Sequence, residues 1–220
     1  MHLTPLNDKI YLFTAENQKD LALTFFRVQE FYESPHPELN GAKFSTYDFL
    51  NRVMDNDGNI EYFNYWAGFN IPGEVVNEWW KKQDVNQATT HELVFFNLLN
   101  DAGVDFSQTY YVIGTLEKDK RTIKHEIAHA LYYTDQEYYK EMFNLTSEFM
   151  FLYKDQYQIS RNSLINMGYC NKVLDDEIQA YMSSEKISHL AHDFKLDIKE
   201  MKPLIKKYRK VLSKYNKFKV

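Results

Sequence analysis

Cysteine is nearly absent from this chain. Cys170 is the only one among 220 residues, so no internal disulfide can form, and a reducing, cytoplasmic setting is expected. Glycine (7) and proline (5) are also scarce, which argues against long flexible loops and fibrous repeats. No stretch approaches the roughly 20 apolar residues of a membrane span, so no transmembrane segment is expected. The opening residues, MHLTPLNDKIYLF, lack a basic region followed by a long apolar run, and no signal peptide is expected.

What the chain does have is apolar and aromatic mass. Hydrophobic residues make up 44%, with 17 Tyr and 16 Phe, enough for a real core in one large unit or two closely packed lobes. The net charge of −5 hides an asymmetry: residues 195–220 sum to +8, leaving −13 on the rest. The basic tail reads as an ordinary solvated helix face, packed against the acidic body. An acidic partner or an anionic membrane surface is the alternative, and nucleic acid is a disfavoured one.

Taken in order, residues 9–14 (KIYLFT) read as a strand and 16–33 as an amphipathic helix stopped at Ser34-Pro35. Ser45 with Asp48 caps a helix expected to bury Phe49, Leu50, Val53 and Met54. DNDGN (55–59) is a turn into a strand at 60–65, and WAGFNIPG (66–73) is an aromatic loop. A helix follows at 74–83. Thr89 and Glu92 form a capping box for another, which Gly103 stops. Residues 109–116 (TYYVIGTL) are a β-rich strand, and Thr134 to Glu137 a further capping box for a helix towards Leu152. Past Asp197, Leu204, Ile205, Tyr208, Val211, Leu212 and Tyr215 mark an amphipathic helix with Pro203 in its first turn.

The chemistry concentrates at 122–134, TIKHEIAHALYYT, which contains H-E-x-x-H as His125, Glu126 and His129. On a helix the two histidines, four apart, share a face and can bind one Zn²⁺, while Glu126 reaches a water on the same metal. No charged side chain lies between Glu126 and Asp135, so this helix is buried nearly all round. Two imidazoles and a carboxylate are costly there without a partner, and a metal supplies one.

This helix resembles the zincin metallopeptidases. The metzincin extension would put a glycine at Tyr132 and a ligand at Asp135. Tyr132 is not glycine, and Asp135 is explained as an acid in a first helical turn. The gluzincin branch takes a glutamate from a later helix, and residues 171–182 (NKVLDDEIQAYM) offer one. With Leu174 at 0°, Glu177 falls near about 300°, inside the arc of Val173, Ile178, Tyr181 and Met182, whereas Asp176 near about 200° points away. Glu177 is therefore the expected third ligand, with Glu185 the runner-up. A salt bridge from Glu177 to Arg121 or Arg161 is the structural alternative. In gluzincins an acid four residues after the ligand orients a zinc histidine. That position here is Tyr181, either a core residue or a stabiliser of the transition state. The resemblance also implies that the strand at 109–116 edges a cleft where substrate backbone adds as an extra strand.

The expectation is thus an α+β, zincin-like fold, with a small sheet beside the HExxH helix and a mainly helical C-terminal part. It forms a single catalytic unit: residues 1–105 an N-terminal α/β region, residues 106–220 the zinc-binding region with a basic C-terminal helix. The expected activity is a zinc-dependent peptidase acting on a protein or peptide, with Glu126 as general base. The alternatives are a zinc hydrolase of a non-peptide amide, and an inactive protein-binding module docking through the aromatic loop.

Overall fold

A computed structural model describes residues 1–34, 36–58, 60–64, 66–83 and 85–218. Pro35, Asn59, Tyr65, Asp84 and the end of the basic tail, Lys219 and Val220, fall outside them. The fold is α+β: a four-stranded mixed sheet in the N-terminal half and a mainly helical C-terminal part, with ten α-helices among the described residues. The chain forms two compact units, Met1–Thr122 and Ile123–Val220. Among the described residues no helix is long and apolar enough to cross a membrane.

In the first unit, β1 (His2–Pro5) and β2 (Ile10–Ala15) form an antiparallel hairpin, turned where the Asn7 carboxamide accepts from the Lys9 and Ile10 amides. Pro5 had masked β1, but it sits on an outer strand, where a missing amide is tolerated. Helix α1 (Gln18–Glu33) follows, capped by Asn17, and then α2 (Thr46–Val53), whose Ser45–Asp48 capping box is complete. Of the residues expected to be buried by α2, Phe49 is; Met54 lies past the helix end, exposed.

Two local readings fail at the next segment. In place of a strand at 60–65, Glu61–Asn64 is a 3₁₀ turn, because buried Tyr62 reaches back to α1 and donates to Glu30 Oε1 at 2.7 Å. The segment read as an aromatic loop contains a strand, β3 (Gly68–Pro72). Its Phe69 and Ile71 alternate inward with the period of two that the flanking Gly and Pro disguised. Helices α3 (Gly73–Lys82) and α4 (Thr90–Asp101) and strand β4 (Tyr111–Leu116) complete this unit.

The strand order is β1-β2-β4-β3, with β2 and β4 parallel and β3 antiparallel to β4. β4 is therefore interior. Both of its hydrogen-bonding edges are taken, so it cannot receive substrate as an added strand, and that expectation is withdrawn. Gly114 in β4 has a packing reason: a Cβ there would lie 2.5 Å from the Phe25 ring of α1. Phe25 in turn meets Phe13, Phe69 and Phe95 at centroid separations of 5.2–5.3 Å, which makes it the centre of this core.

The second unit is helical. Helix α5 (Lys120–Thr134) leads into it, followed by α6 (Gln136–Leu152), α7 (Lys154–Asn166), α8 (Leu174–Ser184), α9 (Ile187–His192) and α10 (Ile198–Tyr215). The cap of α6 is Asp135, not Thr134, whose hydroxyl is spent on the Ala130 carbonyl. α8 packs against α6, α7 and α10, burying Leu174, Ile178 and Met182. Of the inward set expected in α10, Leu204, Ile205, Tyr208 and Leu212 are buried, and Val211 and Tyr215 only partly so. Pro203 lies in the second turn rather than the first, because the helix begins at Ile198. Some of the basic charge is matched across to α6, by Lys207 with Glu148 and Lys214 with Glu141.

Candidate metal centre

Helix α5 begins beside Asp119, whose carboxylate accepts from the Thr122 amide and hydroxyl. Past Thr122 the helix is buried almost without interruption: Ile123, Ile127, Ala128, Ala130 and Leu131, and with them His125, Glu126 and His129. A short run of alanine and β-branched residues packs closely, and it leaves the two imidazoles one turn apart on one face.

Their Nε2 atoms face each other at 3.2 Å. Glu177, 6% exposed, comes in from α8 with Oε2 at 3.7 Å from His125 Nε2 and Oε1 at 3.5 Å from His129 Nε2. One ligand atom from each of the three residues lies within 4.8 Å of the others. A tetrahedral cation with bonds of about 2.0–2.1 Å has ligand-to-ligand edges of about 3.3–3.4 Å, so these separations suit one small ion.

Hydrogen-bond direction makes the case stronger than distance does. Ser184 donates its hydroxyl to the Ala180 carbonyl at 2.6 Å, so towards His125 Nδ1, 3.2 Å away, its oxygen can only accept. His125 therefore carries its proton on Nδ1 and presents a lone pair at Nε2. His129 Nδ1 lies 3.0 Å from the Asp176 carboxylate, not aligned with it for a hydrogen bond, but the nearby negative charge favours a proton on Nδ1 over a lone pair facing the acid. Two lone pairs then meet at 3.2 Å, beside a buried Glu177 Oε2 that has no hydrogen-bond donor among the described residues. A positive charge between the groups, a proton or a metal ion, would satisfy all three of them.

The electrostatics agree. Burial alone would lower the His129 imidazole, but Asp176, Glu177 and Glu126 outweigh it and hold its pKa well above the ordinary value. No lysine or arginine pairs with Glu177 among the described residues. The proposed alternative bridge from Arg161 goes to Asp175 instead, at 3.4 Å.

Tyr181 stands against the cluster, its ring edge-on to the His125 imidazole at 4.7 Å. Its hydroxyl is 3.2 Å from that of Tyr169. Burial first, then Glu177, pushes Tyr181 up to about 12, and the same two causes raise Tyr169 further, so both phenols stay protonated and able to donate. Glu126 is 5% exposed and close enough to act on His129, Tyr169 and Tyr181.

The remaining candidates go elsewhere. Glu185 caps the end of α8, and its Oε2 is 3.1 Å from His189 Nδ1, one turn on. His192 is exposed beside Asp193, and Asp135 is occupied by the Glu137 and Tyr138 amides. Three residues escaped the sequence reading. Asp176 was expected to point away, yet it contacts His129. A helical wheel assumes one inward face, whereas residues 177–180 of α8 are all buried. Ser184 is two residues beyond the window considered, and Tyr169 sits in the connection between α7 and α8, where periodicity carries no signal.

The class defined by fold and site is an α+β protein with a buried His-His-Glu group able to hold a metal ion. No protein-family model, curated protein or solved structure matches the chain.

Proposed function

We propose that the chain is a zinc-dependent peptidase of the gluzincin kind. The observation that carries this is the convergence of two acceptor nitrogens and an undonated carboxylate oxygen on one point, with a glutamate next to the first histidine. His125, His129 and Glu177 would hold the ion, and three such ligands with an open fourth position are the mark of a catalytic rather than a structural zinc. A bound Zn²⁺ supplies Lewis-acid polarisation of the scissile carbonyl and lowers the pKa of water.

The rest falls to the chain. Glu126 accepts a proton from the attacking water and returns it to the departing amine nitrogen, so that the C–N bond breaks to a neutral amine. Tyr181, protonated and donor-competent, is the residue suited to hydrogen-bond the oxyanion that forms on the carbonyl oxygen. A non-peptide amide would be cleaved by the same sequence of proton transfers.

The test is a comparison of new protein N-termini in cells producing the wild-type chain or Glu126→Gln. Cleavages present only with the wild type support the reading. A wild-type protein that contains no zinc, takes none up on addition and yields no such termini overturns it.

A further inference from the structure

Helix α8 does more than bring Glu177. It also touches the far nitrogen of each imidazole, through Asp176 at His129 and Ser184 at His125. These two holds are unequal. The first is an ion-pair contact, a carboxylate 3.0 Å from an Nδ1 not aligned with it for a hydrogen bond; the second is a hydrogen bond to a neutral hydroxyl at 3.2 Å whose own proton goes to Ala180. A carboxylate this close attracts the ring proton by its full charge, which a neutral hydroxyl lacks, and raises the basicity of the opposite ring nitrogen.

We propose that Asp176 is the positioning residue of the metal centre. It fixes the Nδ1–H tautomer of His129 and thereby sets the affinity of the site, with Ser184 a weaker counterpart at His125. This rests on the His125, His129, Glu177 reading of the centre. It assigns to residue 176 the task that the gluzincin pattern gives to an acid at 181, where this chain has tyrosine. The competing explanation is that Asp176 merely favours the α8 N-terminus, as an acid in its first turn, steadied by Gln179 at 2.8 Å. Asp175 is the natural control. It occupies the same first turn but pairs with Tyr157 and Arg161 instead of an imidazole.

The experiment titrates Zn²⁺ into the full chain by chelator competition and reads the histidine tautomers by ¹⁵N imidazole NMR. Asp176→Ala is expected to weaken zinc binding by about 10–100-fold and to shift His129 from a pure Nδ1–H form to a mixture. Asp176→Asn keeps an accepting oxygen and should lose less, Ser184→Ala should lose less than Asp176→Ala, and Asp175→Ala should bind as the wild type does. Wild-type affinity and an unchanged His129 tautomer in Asp176→Ala overturn the proposal, as does an equal loss in Asp175→Ala. Should Asp176→Ala not fold, Asp176→Asn decides: a measurable loss with a changed His129 signal supports the role, and wild-type behaviour overturns it. Failure of the wild-type protein itself to bind zinc is a different result, which removes the metal centre and this role together.

Discussion

The chain contains two His-Glu pairs in the same local order, His91-Glu92 and His125-Glu126, and they have opposite fates. Both glutamates are buried, Glu92 fully and Glu126 to 5% exposure. Around Glu92 the charge is closed within the first unit. Arg27 Nε lies 3.0 Å from Oε1, the Thr89 amide donates to Oε2 at 2.8 Å, and Arg27 is held in turn by Gln83. Around His125 and His129 the acids outnumber the fixed cations, and the acceptors point at one another. Among the described residues Glu92 Oε1 and Glu177 Oε2 both lack a hydrogen-bond donor, but the first faces a guanidinium of opposite charge and the second faces two imidazoles, an arrangement suited to a cation. Position in the helix makes the difference. Glu92 is the third residue of α4, where its carboxylate closes a capping box, and Glu126 lies mid-helix, where no backbone amide is available to it.

The sharpest way to break this comparison is to neutralise each glutamate. Glu126→Gln is expected to reduce hydrolysis by about 10²–10⁴-fold while zinc content stays at the wild-type level, since the residue moves a proton rather than binding the ion. Near wild-type turnover in that variant would remove Glu126 from the mechanism. Glu92→Gln should do the reverse, leaving zinc content unchanged. It strands Arg27, a guanidinium almost wholly out of water, and breaking a buried pair typically costs about 3–5 kcal/mol. The low end is expected, because Gln83 still holds the guanidinium. Urea denaturation of the two variants side by side measures this, and equal stabilities would show that the first cluster is not the structural one.

Smaller effects separate the acids around the second cluster. Glu177→Ala should release zinc readily and stay folded. Asp135→Ala should retain zinc and cost about 0.5–2 kcal/mol, the ordinary loss of an N-cap, since its carboxylate is engaged with the Glu137 and Tyr138 amides. Chelator competition with a circular-dichroism control distinguishes them. Zinc loss on replacing Asp135 would return the metzincin alternative.

How much of this was legible beforehand follows from the range of the interactions involved. The Ser45–Asp48 and Thr89–Glu92 boxes involve residues three apart, and both were read correctly from sequence. His125 and His129 are one helical turn apart, and Glu177 could be placed by counting angles within its own helix. Some errors were local, the cap of α6 by one residue and the start of α10 by about a turn, but the larger ones sit where a distant partner decides. Tyr62 is turned away from a strand by Glu30, 32 residues earlier. β3 exists because β4, some 40 residues later, pairs with it, and Asp176 is drawn to His129 from a different helix. Local pattern reports a segment's own preference, and tertiary contact overrides it at these three places.

The finest contrast lies in the histidines of the two pairs. His91 does not enter the buried cluster of its own neighbour; it faces outward and meets Asp20 at 3.1 Å, with both side chains partly in solvent. The hydrogen bond from His91, followed by that from Asn17, lowers the pKa of Asp20 below the usual aspartate value. A depressed carboxylate contributes stability above its unfolded pKa, and that contribution fades as pH falls through the folded value. Asp20 is more than a third exposed, so screening limits the pair to about 0.2–1 kcal/mol. His91→Ala is therefore expected to move the Asp20 carboxyl titration upward, towards but not fully to its ordinary position, because Asn17 still donates at 2.8 Å. The stability lost should be at most that fraction of a kcal/mol at neutral pH, less at high salt, and nil once Asp20 is protonated in both states. Carboxyl NMR titration and urea unfolding at two salt concentrations measure both quantities. His125→Ala, by contrast, should abolish tight zinc binding at any salt concentration. A large, salt-independent loss from His91→Ala would mean that the first pair is more than a surface contact joined to a structural ion pair.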